Sequence, residues 1–117
     1  MAIRLLPTPV MATIGVALDG GDSSSTILQA AAPLARALGA SITLVSVVER
    51  PDIPPDRKPW LEGVAANLRA QGSEVVVDLR VGAAAGELLS FTRDATPLFL
   101  ALATHGRRGL ARLRMGS

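Results

Sequence analysis

A chain of 117 residues that is 49% apolar and 19% charged is long enough for one packed domain with its own core, which excludes a disordered segment. No cysteine and a single histidine exclude a disulfide framework, a thiol nucleophile and a zinc site. Twelve basic against ten acidic residues leave a net charge of only +2, and one Trp, two Phe and no Tyr offer little to stack on bases, so no nucleic-acid partner is expected.

Residues 1–11 read as an N-terminal tail, because Pro7 and Pro9 prevent a regular element, and the domain is expected over 12–117. The opening residues lack the pattern of a signal peptide, and nowhere do eighteen apolar residues run together. A soluble, cytoplasmic protein with no membrane partner is therefore expected. Ala12 to Leu18 is apolar at odd and even positions alike, as in a strand buried on both faces of a parallel sheet. Asp19-Gly20-Gly21-Asp22 with Ser23 to Ser25 reads as a turn rich in helix-capping residues. Ile27, Leu28, Ala31, Leu34, Ala35 and Leu38 then recur at helical spacing up to Gly39, with Pro33 weakening the middle.

Ala40 to Val48 is β-branched and predicts the second strand. The proline-rich run from Arg50 to Pro59 predicts a surface loop, followed by a helix with Trp60, Leu61, Val64, Ala65 and Leu68 on one face. Ser73 to Val81 predicts a third strand whose alternation at its end suits a sheet edge. Ala83 to Arg93 predicts a short helix with Leu88, Leu89 and Phe91 apolar, and Pro97 to Ala103 a fourth, buried strand. Strands and helices in alternation predict an α/β fold, a single doubly wound parallel sheet with helices on both faces, Rossmann-like in plan. The functional cleft of such a sheet lies outside the carboxyl ends of its strands, where Asp19, Val47 to Glu49 and the loop after Leu102 all fall.

That last loop, L-A-T-H-G-R-R-G-L-A-R-L-R-M-G-S, is punctuated by Gly106, Gly109 and Gly116. Glycine lets backbone N–H groups come close to an anion, and phosphate is the obvious guest. Arg93, Arg107, Arg108, Arg112 and Arg114 face only Glu87 and Asp94 in this part of the chain, which suits an anionic ligand and equally a solvated basic surface. The phosphate loop G-x-x-x-x-G-K-[ST] is absent, as is G-x-G-x-x-G after the first strand. His105 has no carboxylate or nucleophile placed near it by sequence and reads as a loop residue. Asp19 suits a ribose hydroxyl or a helix cap about equally.

In V-A-L-D-G at 16–20, in A-x-x-L-A-R-A-L-G-A at 31–40 and in T-H-G-R-R-G-L-A-R-L-R-M-G-S at 104–117, the chain resembles the universal stress protein family. The resemblance implies an adenine nucleotide alpha hydrolase-like fold, here C-terminally truncated, because the family domain continues after Gly-Ser with a helix and a fifth strand that often pairs subunits. Nucleotide-binding members carry G-x-x-G, nine residues, then G-S or G-T after the fourth strand. Gly106, Gly116 and Ser117 match, whereas Ala103 stands at the first glycine. By this resemblance Asp19 lies near the adenine or ribose and Val47 contacts the adenine. Leu102 and Ala103 lie along the nucleotide, and Gly106, Gly116 and Ser117 hold its phosphates.

The implied function is a stress-response regulatory module that binds ATP, with or without Mg2+, forms a homodimer in its full-length form and has no dedicated catalytic apparatus. The alternatives are a stress-linked interaction or dimerisation module that does not bind ATP, and an adenylate-hydrolysing enzyme acting at the Asp19 to Ser23 loop, which faintly resembles the S-G-G-x-D-S loop of ATP pyrophosphatases.

Overall fold

The computed structural model describes residues 12–19, 24–49 and 53–102. The expected tail and the loop beyond Leu102 lie outside these residues. Four strands, β1 (Thr13–Ala17), β2 (Ser41–Val48), β3 (Val75–Val81) and β4 (Leu100–Leu102), alternate with three helices, α1 (Ser24–Leu38), α2 (Arg57–Ala70) and α3 (Ala84–Ala95). The strands form one sheet in the order β3-β2-β1-β4, and every pairing is parallel. From β1 the chain steps to β2 and β3 in one direction and then returns across the sheet to β4. Right-handed connections place α1 and α2 on one face and α3 on the other for that order.

The packing has this arrangement. Alternate residues of a strand face opposite ways, and Ile14, Val16, Ile42 and Leu44 form a buried cluster with Ala31 and Ala35 of α1 and Leu61, Ala65 and Leu68 of α2. Leu61 is fully buried, which contributes about 2 kcal/mol. Small alanines on α1 let its backbone approach the sheet closely. On the other face lies Phe91 of α3, buried at 2% exposure against Gly15. The doubly wound sheet expected from the sequence is therefore the fold observed.

Local differences have physical reasons. α1 runs unbroken through Pro33, which is exposed, as is Gln29, so the carbonyl deprived of its partner faces water. Leu34 and Leu38 are 43% and 50% exposed and flank the buried alanine stripe. Gly39 takes φ +67 as the residue after α1, and Ala40 N–H donates to Ala35 O at 2.9 Å, closing the helix as its sequence predicts. α2 begins at Arg57, earlier than the expected start near Trp60, because Pro59 is tolerated within a first turn. In α3, Phe91 is buried but Leu89 is 62% exposed.

Among the described residues the ladder of β4 covers Leu100–Leu102, so it starts later than Pro97, the expected first residue of a strand over Pro97 to Ala103, whose last residue lies outside the described residues. Pro97 has no N–H to give, and Thr96 before it takes a left-handed conformation (φ 43, ψ 57). Pairing with β1 starts with Leu98 N–H donating to Thr13 O at 2.8 Å.

Candidate functional site

The carboxyl ends of β1, β2 and β4 emerge side by side. Ala17 of β1 pairs with Val45 of β2 and with Leu102 of β4, so three adjacent strands are level at this point. Leu18 N–H donates to Val45 O at 2.8 Å, which carries the β1–β2 pairing one residue further. Asp19 follows, exposed at the strand end, and Val47 lies two residues beyond Val45 on the neighbouring strand. With strands about 4.8 Å apart, Asp19 just past β1, Val47 on β2 and Leu102 on β4 stand at one end of three neighbouring strands. The strand order β3-β2-β1-β4 reverses direction between β1 and β4, and sheets of this kind take ligands outside the carboxyl ends of the strands at such a point of reversal.

Of the residues expected at a site, Asp19, Val47 and Leu102 are thus brought together. Val47 and Leu102 are half-buried. Ala103, Gly106, Gly116 and Ser117 lie outside the described residues. No group of three or more His, Asp or Glu placed to hold a metal ion occurs among the described residues.

The end of β2 is tied from both faces of the sheet, which sequence reasoning missed. Arg57, in the first turn of α2, donates from Nη1 to Ser46 Oγ at 2.9 Å, and Ser46 is 1% exposed. On the other side of Val47, the Glu49 carboxylate accepts the Ala84 N–H at 3.3 Å, at the start of α3. Ala83, the N-cap residue of α3, has no side-chain acceptor of its own, so Glu49 fills that place from a neighbouring strand. Ser46, set among the apolar residues Leu44, Val45, Val47 and Val48, was the available signal, since a buried hydroxyl needs a partner.

Beside β2, the α3 face carries a charged cluster. Arg80 of β3 donates from Nε to Asp78 Oδ2 at 3.0 Å and from Nη1 to Glu87 Oε1 at 3.4 Å, and its guanidinium lies 5.8 Å from the Phe91 ring centroid. Burial lowers the Arg80 pKa, but the hydrogen bonds and charges of Asp78 and then Glu87 outweigh that and raise it above its ordinary value. Arg80 is therefore a fixed cation holding β3 to α3, and no proton donor.

The fold is shared with solved proteins. Protein Rv1636 from Mycobacterium tuberculosis H37Rv is 25% identical, with a TM-score of 0.68 over 95% of this chain and 85% of that one. A universal stress protein family member from Burkholderia pseudomallei is 25% identical, with a TM-score of 0.71 over 92% and 94% of the two chains. A universal stress protein solved in complex with cAMP is 22% identical and shares the fold, with a TM-score of 0.64 over 76% and 69%. No curated protein matches the chain significantly. The family model described as "Universal stress protein family" matches residues 11–117, almost the whole sequence, and the chain belongs to that family.

Proposed function

We propose that the domain is a regulatory module that binds ATP in the crevice at the carboxyl ends of β1, β2 and β4. The observation that carries this reading is the register that levels Ala17 with Val45 and Leu102, so that Asp19, Val47 and the start of the glycine-rich loop share one end of the sheet. In this reading the adenine and ribose lie against Asp19 and Val47, and Leu102 and Ala103 run along the nucleotide. The backbone at Gly106, Gly116 and Ser117 holds the phosphates, where Mg2+ would neutralise their charge. The G-x9-G-S spacing supports it, as does the cAMP held by a protein of the same fold. The domain acts by binding and not by turnover, since no Lys of the phosphate-loop type accompanies the glycines.

A second reading has one observation in its favour. Ala103 stands where nucleotide-binding relatives carry the first glycine of the pattern, and its methyl group narrows the approach of a ligand to the backbone. In that reading the domain is an interaction module without ATP. Calorimetry with ATP and GTP, together with mass spectrometry of nucleotide released from the purified protein, separates the two. ATP bound in preference to GTP is expected. No binding at millimolar ATP establishes the interaction module instead.

A further inference from the structure

The first turn of α2 runs against helix electrostatics. It contains no acid, and Arg57 and Lys58 stand where the positive end of the helix dipole disfavours cations. Asp56, at the N-cap, makes no side-chain capping bond. Helix stability therefore gives no account of Arg57. Its bond does: Nη1 donates to Ser46 Oγ at 2.9 Å, and Ser46, at 1% exposure, immediately precedes Val47. A buried hydroxyl gains a charged donor by this contact, one of the stronger classes of hydrogen bond.

The rest of Arg57 borders an open cleft of about 510 Å³ lined by Asp56, Arg57, Pro59 and Trp60. Arg57 is half-buried. It thus joins the first turn of α2 to the strand end that carries Val47. Glu49 fixes the same strand end from the α3 side through Ala84.

We propose that Arg57 is a positioning residue for the nucleotide site, acting through Ser46 to set the carboxyl end of β2 at the level where Val47 meets the adenine. The inference rests on the adenine-nucleotide reading above and adds a residue that the family pattern does not contain in this sequence. Arg57 Nη1 donates to Ser46 Oγ, and the positioning role requires that its effect pass through that one hydroxyl.

The test measures ATP affinity by calorimetry for the wild type, Arg57→Met, Arg57→Lys, Ser46→Ala and the Arg57→Met/Ser46→Ala double variant, with amide hydrogen exchange at residues 46–49 of each. Arg57→Met and Ser46→Ala are each expected to weaken ATP by about tenfold and to speed exchange at 46–49, as one charged hydrogen bond is lost. The double variant should be no worse than either single one, because both remove the same bond. Arg57→Lys, which keeps a cationic donor, should recover part of the affinity.

Wild-type affinity in Ser46→Ala alongside a loss in Arg57→Met would overturn the inference, as would additive losses in the double variant. Each would mean that Arg57 acts on the ligand directly. A wild type that binds no ATP removes the nucleotide reading itself, and the exchange data then decide alone: unchanged exchange at 46–49 in both single variants overturns the positioning role.

Discussion

The Phe91 ring of α3 fills the space that a side chain at Gly15 would need. A Cβ built at Gly15 lies 2.6 Å from Phe91 Cε2 and 2.9 Å from Leu100 Cδ1, closer than real carbon contacts allow. Gly15 therefore makes the room in β1 that the Phe91 ring of α3 occupies. Gly15→Ala is expected to destabilise the fold by about 1–3 kcal/mol through overpacking, and Phe91→Ala by about 3–5 kcal/mol through the cavity left. Urea unfolding of both variants and of Gly15→Ala/Phe91→Leu checks the contact. The smaller side chain should recover part of the Gly15→Ala loss, and strict additivity would place the strain elsewhere.

Both ends of α3 leave room for stabilisation. Ala83 has the extended conformation of an N-cap residue (φ −72, ψ 129), and its own side chain adds no acceptor to the Glu49 carboxylate that takes the Ala84 N–H. Ala83→Ser should add about 0.5–1 kcal/mol by offering one. At the other end Thr96 takes φ 43, a region that disfavours β-branched residues, and Thr96→Gly should relieve about 1 kcal/mol of strain. Thermal melts of the two variants test this, and a fall in Tm for either means that the native Thr or Ala serves a contact outside the helix ends.

The proposed phosphate-holding role of the loop after Leu102 can be distinguished from that of a merely basic surface by the order of two effects. Gly116→Val should weaken ATP binding by about 1–3 kcal/mol, because a side chain there blocks the backbone N–H groups from close approach. Arg107→Ala and Arg112→Ala should cost no more than about 1 kcal/mol if they are surface charges. The reverse order, with the arginines decisive and Gly116→Val silent, would assign the loop to a macromolecular anion.

Turnover of ATP should stay below about 1 per second, the lower range of ordinary enzymes, since the sequence carries no Lys of the phosphate-loop type beside the glycines. Steady-state phosphate release measures it. A faster rate that falls on Asp19→Asn would support the adenylate-hydrolysing alternative, with the Asp19 carboxylate in the reaction.

Sequence alone determined the alternation of elements, because buried parallel strands such as Ile14 to Val16 are apolar at odd and even positions alike and the helices carry apolar stripes at their own period. It also placed Asp19, Val47 and Leu102 at strand ends, since a strand end is a local property marked by the first polar or glycine residue. Boundaries held less well. α1 passes through Pro33 because that position faces water, and β4 starts at Leu100 and not at Pro97 because Pro97 and Thr96 delay its pairing. Local pattern carries neither fact.

What only the tertiary structure decided is which strand ends are neighbours and what fixes them. The order β3-β2-β1-β4 sets β4 beside β1, across a long crossover, so that residues 17 and 102 become partners although no local signal links them. The same holds for Gly15 under Phe91, for Arg57 on Ser46 and for Glu49 at Ala84. Each contact joins residues from different elements, and its existence depends on crossing angles and register that arise only when the whole sheet closes against its helices. A glycine in a strand announces a close approach without naming the residue that approaches, and a serine in an apolar strand asks for a partner without saying which helix will supply it.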